Sequence, residues 1–132
     1  MTQRRRRARR GDRGLVTVEL TVVAPLLLWW LMLIVQYGLW WHAKQVADAA
    51  AAEAADVAQT LDGTAADGQE AALGFLAESG NLTGISVSVD RGTDIVAVEV
   101  QGNAPQLIPG WDWGVTARSQ APIERPIPQA ER

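Results

Sequence analysis

Hydrophobic and polar positions are distributed along this chain in blocks. From Leu20 to Ala43 there is no Asp, Glu, Lys or Arg over 24 residues, LTVVAPLLLWWLMLIVQYGLWWHA. As a helix such a run covers ~36 Å at ~1.5 Å per residue, enough to cross a hydrocarbon core of ~30 Å with some tilt. The pattern therefore predicts one transmembrane helix over 15–43. Pro25 is compatible with it, because neighbouring groups in membrane helices re-satisfy the backbone that proline frees. Tyr37, Trp40 and Trp41 stand near its far end, where amphipathic rings favour the membrane–water boundary. Trp29 and Trp30 lie deeper and are expected to face lipid or a partner helix.

After the run the period changes. Alanine-rich sequence over 44–61 continues the helix, with Val46, Ala50, Val57 and Leu61 as a stripe at helical spacing and Lys44/Asp48 as an i,i+4 pair on the other side. The stripe serves either to cover the head's own sheet or to form a seam with other helices. Asp62-Gly63-Thr64 breaks the helix. Asp67 and Glu70 have the spacing of a capping box, and a second helix runs to about Ser79 with Ala72, Leu73, Leu76 and Ala77 on one face and Gly80 as its C-cap. Ile85, Val87 and Val89 alternate with polar residues, as do Val96, Val98 and Val100, and Arg91-Gly92-Thr93-Asp94 joins them as a hairpin. Val115–Ala121 is the third strand. Prolines 122, 126 and 128 end regular structure and leave 126–132 as a flexible tail. The expected fold class is α+β, with a long N-terminal helix, a short second helix and a small antiparallel sheet of about three strands. Residues 62–125 form most of the head.

Charge gives the helix a direction. The leader, 1–14, holds seven arginines (Arg4, Arg5, Arg6, Arg7, Arg9, Arg10 and Arg13) and one aspartate, a net of +6. The remaining five basic and fourteen acidic residues net −9, which gives the overall −3. Arginines next to a span hold their side in the cytoplasm, so the head is expected outside the cytoplasmic membrane in a single-pass, N-in topology. Nucleic-acid binding is not expected, since no aromatic residue is interleaved with the arginines and no recognition element follows. A cleaved secretory signal is also disfavoured. Ala47-Asp48-Ala49 resembles a cleavage site, but an apolar core of ~7–15 residues is usual and this one is longer. Arg9-Arg10 lacks the apolar pair of a twin-arginine signal.

The chemical inventory is thin. There are no cysteines, so disulfides, thiol catalysis and zinc ribbons are excluded. His42 is the one histidine and sits on the apolar helix away from Ser79, Ser86, Ser88 and Ser119. No phosphate-binding, zincin or calcium-loop pattern is present. No enzyme, metal or cofactor is expected. Trp111-Asp112-Trp113 reads as a loop covering the sheet edge, or as an aromatic contact for a partner or carbohydrate.

Glu19 needs its own explanation, because a carboxylate drawn into hydrocarbon without a partner costs about 2–3 kcal/mol. It either snorkels to the headgroups beside Arg13 or pairs with another charge. Were the chain cut between Gly14 and Leu15, the new amine would stand one helical turn, ~6 Å, from Glu19. The two could then neutralise each other within or between subunits.

Basic residues, Gly14, four residues, Glu19 and a long apolar run resemble the processing site of type IV prepilins and pseudopilins. More specifically, Arg13-Gly14, Thr17-Val18-Glu19, Pro25-Leu26-Leu27 and Tyr37-Gly38 are similar to the N-terminus of the TadE-like family, pseudopilin-like components of tight-adherence (Tad/Flp) pilus and secretion systems. Leu107-Ile108-Pro109-Gly110 and Ala117–Arg125 are similar to the C-terminal pattern of its short actinobacterial-type members. Two departures are visible. Leu15 stands where type IV pilins usually have an aromatic residue or Met, and Ala49–Glu53 replaces an Arg-Glu-Gly-Ala-Arg stretch. The resemblance implies a pilin-like fold, a processing site at Gly14/Leu15 with a prepilin peptidase as partner, and Glu19 as the carboxylate used in assembly. Its other partners would be the bilayer and further Tad or pilin-like subunits. The alternative is a membrane-anchored accessory or binding protein that never enters a pilus.

Overall fold

One uninterrupted helix carries most of the apolar sequence. In the computed structural model, which describes residues 11–125 and side chains from Val18 onward, α1 runs Gly11–Gln59 with Pro25 inside it. It is followed by α2 (Ala65–Ser79), β1 (Thr83–Arg91), β2 (Ile95–Asn103) and β3 (Gly114–Pro122). The strands form one antiparallel sheet in the order β1-β2-β3. This is the α+β architecture expected. Arg4 to Arg10 and the tail 126–132 lie outside the described residues.

Packing divides the chain between Val35 and Gln36. In the first unit the described side chains, from Val18 to Val35, belong to α1 and are exposed on every side except at half-buried Leu33. The second unit has a core of its own. From α1 it takes two i+4 rows, Ala43-Ala47-Ala51-Ala55 and Val46-Ala50-Ala54-Ala58, all buried. The same core holds Ala72 and Leu76 of α2, Leu82, and the inward valines and alanines of the sheet. The expected stripe is corrected here. Val46 and Ala50 belong to it, but Val57 is only half-buried and Leu61 lies exposed beyond the helix end. Seven alanines make this face because methyl side chains let other backbones come close. Covered in this way, the stripe packs on its own head.

The closest approach is at Gly68. A Cβ there would lie 2.7 Å from the Ala54 carbonyl oxygen and 2.9 Å from the Ala58 Cβ. The face of α2 is accordingly Gly68-Ala72-Leu76, with Phe75 partly buried beside it, while Leu73 and Ala77 point outward. The expected Asp67/Glu70 cap is also corrected. The helix starts one turn earlier, because Thr64 accepts from the Asp67 backbone N–H at 3.2 Å and Asp67 accepts from the Thr64 N–H at 2.9 Å. Gly80 caps the far end by donating to the Leu76 carbonyl at 3.0 Å.

The last turn of α1 contains no basic residue, and its free carbonyls are satisfied from elsewhere. Arg91, at the end of β1, donates to the Ala58 and Thr60 carbonyls at 3.0 and 3.1 Å, and Glu124 N–H donates to Gln59 at 3.0 Å. A guanidinium also complements the negative end of the helix dipole.

Across the sheet, Val87 pairs with Val100 and Val100 with Ala117, and these face the core. The alternate row Ser88, Glu99 and Arg118 faces out, with Arg118 donating to Glu99 at 2.9 Å. Ile85 does not share the burial of Val87. A register shift between Thr83 and Ser86, entered through Gly84 at φ 61°, takes it out of the alternation. Pro122 is the last residue of β3, an edge strand, where a missing N–H is tolerated.

Two substitutions in α2 should act with opposite sign. Gly74 has open space around it, so Gly74→Ala should stabilise by about 0.5–1 kcal/mol. Gly68→Ala must push on the α1 backbone and should destabilise by about 1–3 kcal/mol. Urea melts of the full chain in mild detergent would read both, and equal shifts would contradict the α1–α2 contact. Asp67 is held below its ordinary value of 3.8, first by the Thr64 hydroxyl and then by the Thr64 backbone. A carboxylate lowered on folding stabilises above its unfolded value and loses that contribution as pH falls through the folded one. Loss of the Thr64 N-cap hydroxyl in Thr64→Ala should cost about 1 kcal/mol at neutral pH. The gap to the parent should narrow in acid.

Candidate functional site

The residues singled out by sequence fall at different heights on α1. Arg13, Gly14 and Leu15 have helical backbone, but their side chains are not among those described. Glu19 is exposed between Val18 and Leu20, both also exposed. Above it Val22, Leu26, Leu27, Leu28, Trp29, Trp30, Leu31 and Ile34 are open on all sides of the helix. Unlike an amphipathic helix, this one has no polar face to set against water. It is long and apolar enough to cross a membrane.

At Gln36 the surroundings change. Gln36 is fully buried, an amide at the end of an otherwise apolar stretch. Its Nε2 donates to the Pro105 carbonyl at 3.0 Å, and its Oε1 accepts from the Leu107 N–H at 2.7 Å. Both ends of the side chain thus hold the segment between β2 and β3. One turn on, Trp40 is half-buried in the core and donates through Nε1 to the Gly114 carbonyl at 3.1 Å. The 105–114 segment is fastened to α1 at two points, ~6 Å apart along the helix.

Tyr37, Trp40 and Trp41, grouped by sequence as boundary aromatics, have different surroundings. Tyr37 and Trp41 are 55% and 51% exposed, whereas Trp40 is tied to the head. Tyr37 contacts both tryptophans, with centroids 5.8 and 6.4 Å away. In the loop, Trp113 packs against the core and Trp111 stands edge-on to it at 6.3 Å, largely exposed. Sequence reading passed over Gln36. The available signal was a lone amide in an uncharged run, which is hard to keep in hydrocarbon unless both its polar ends are bonded.

The remaining polar features are surface ones. His42 is exposed. Lys44 pairs with Asp48 as its spacing predicted. A shallow depression on the outer sheet face is lined by Ser88, Asp90, Glu99, Arg118 and Gln120. Glu99 there is held below its ordinary value by Gln101 and then by Arg118. Among the described residues no three His, Cys, Asp or Glu side chains are grouped to hold a metal. The organised features are an apolar surface and a clamp.

A helix long and apolar enough to cross a membrane, in a chain that also carries a small α+β head, fits a single-pass membrane protein. The family model described as TadE-like protein matches residues 14–56, the family that the N-terminal resemblance names. The matched stretch begins at the Gly14 of the proposed processing motif and ends three residues before the C-terminus of α1. No curated protein and no solved structure matches the chain.

Gln36→Leu should remove both bonds to the loop and leave the Leu107 N–H and the Pro105 carbonyl unpaired, at about 1–3 kcal/mol. Amide exchange at Leu107 should accelerate while that of α2 stays protected. Unchanged exchange at Leu107 would contradict the clamp.

Proposed function

We propose that this protein is a single-pass, pseudopilin-like membrane subunit that takes part in assembling a Tad/Flp-type pilus or secretion apparatus. The observation that carries the reading is a coincidence along α1. The TadE-like match covers 14–56, and within it the described side chains from Val18 to Val35 are exposed except at half-buried Leu33. A face left open on every side suits lipid and neighbouring helices together. The basic leader favours an N-in orientation with the head outside the cytoplasmic membrane. The role is structural: the span packs with other subunits and the head presents an external surface.

Glu19 is the residue assigned to assembly. It is exposed near the start of the apolar stretch, where pairing with an amine, its own after cleavage at Gly14/Leu15 or a neighbour's, would offset its transfer cost of about 2–3 kcal/mol. Prepilin-type processing belongs to this reading. Own-head packing of the alanine face limits helix–helix contact with other subunits mainly to the part of α1 before Gln36.

Intact mass and N-terminal sequencing of the mature protein test the processing step. A cut after Gly14 that disappears without a prepilin peptidase is expected, and a cut near Ala49 would refute the retained span. Glu19→Val should leave membrane insertion intact and lower co-isolation with partner subunits about tenfold, equivalent to ~1.4 kcal/mol. Normal co-isolation would remove Glu19 from assembly.

A further inference from the structure

We propose that the loop between β2 and β3 is a second membrane contact, with Leu107 and Trp111 seated in the interface of the bilayer that α1 crosses. The inference rests on the spanning role of α1. It goes further by giving the head a fixed footing on lipid.

The helix itself sets the level. From Leu15 to Val35 the chain has 21 residues with one charge, Glu19. As helix they rise ~32 Å, which matches a hydrocarbon core of ~30 Å. The far boundary of the bilayer then falls near Gln36. Gln36 is the residue that holds Pro105 and Leu107, so the clamp fixes the loop at that boundary.

The loop has the chemistry for the place. Ile108 turns inward and is buried, while Leu107 and Trp111 remain 45% and 61% exposed. Gly110, at φ 98°, supplies the left-handed turn that separates them. Exposed Tyr37 and Trp41 on α1 extend the same apolar–aromatic surface through Trp40, which is bonded to Gly114. Indole and phenol rings favour the headgroup level, where a flat apolar face and a polar edge are both satisfied. Elsewhere on the head, among the described residues, the large exposed apolar residues are dispersed, with Leu61 after α1, Leu73 on α2, Ile85 on β1 and Ile95 on β2. Between Ala104 and Gly114 the one charged residue is Asp112 and there is no Lys or Arg. Lipid is therefore held by apolar contact, and anionic headgroups add nothing.

The chain has no native cysteine, which permits a direct test. The full chain is reconstituted in phosphatidylcholine vesicles carrying a nitroxide at Leu107→Cys or Trp111→Cys. Ile34→Cys serves as the membrane reference and Leu73→Cys, exposed on α2, as the aqueous one. Collision with oxygen and with a water-soluble nickel chelate reports depth. The expected result is an oxygen-to-nickel ratio at Leu107 and Trp111 several-fold above that at Leu73 and below that at Ile34, unchanged when phosphatidylglycerol is added. An aqueous ratio at both loop positions with Ile34 still in lipid overturns the loop contact alone. Protection from both reagents at the loop would indicate protein packing, as by a second copy, and also overturns it. An aqueous ratio at Ile34 would instead remove the spanning role on which the inference stands.

Discussion

The alanine face of α1 between Ala43 and Ala58 is the constraint on which the head depends. A methyl group contributes little apolar area by itself, so the gain comes from proximity. With no side chain beyond Cβ, α1 admits the backbone of α2 at Gly68 and lets the sheet's valines close over both helices. A head without disulfides has only such packing to hold it, and small domains are marginal on core burial. Here the core is completed by borrowing the upper part of the long helix. Cut away from 43–58, the sheet and α2 would lose one wall.

That dependence also divides α1 into parts with different tasks. Beyond Gln36 one side of the helix is committed to the head, and its outer side carries Lys44, Asp48, Glu53 and Asp56. From Val22 to Val35 the side chains are apolar, and all are exposed except half-buried Leu33. Gln36, where the burial of α1 side chains begins, is a buried amide with both ends bonded, which would be costly to bury without those bonds. The C-terminus of the same helix is closed by Arg91 from β1 and by the chain at Glu124, so its end is held by sequence far downstream.

Much of the head was legible from periodicity. The two helices, three strands and hairpin followed from patterns of 3.6 and 2 residues, and the Lys44/Asp48 pair from i,i+4 spacing. Errors occurred where a local rule met a tertiary contact. Asp67 looked like an N-cap, but Thr64 has the hydroxyl that reaches the third helical N–H, and Asp67 is the reciprocal partner. Leu73 and Leu61 were expected on the apolar faces of their helices by spacing, yet both are exposed. Gly68 and the alanines displaced them, since close approach favours small side chains over apolar bulk.

By itself the sequence determined the apolar length, the charge difference between the two ends, the order of elements and the similarity of 14–56 to the TadE-like family model. These depend on neighbours in the chain, and local physics suffices for them. Tertiary structure decided which face of α1 the head covers, that Gln36 and Trp40 hold the β2–β3 segment, and that Trp113 turns in while Trp111 stays out. Those are contacts between residues about 70 positions apart, such as Gln36 with Leu107 (a separation of 71) and Trp40 with Gly114 (74). No period or propensity encodes them, because only the folded chain brings their partners together.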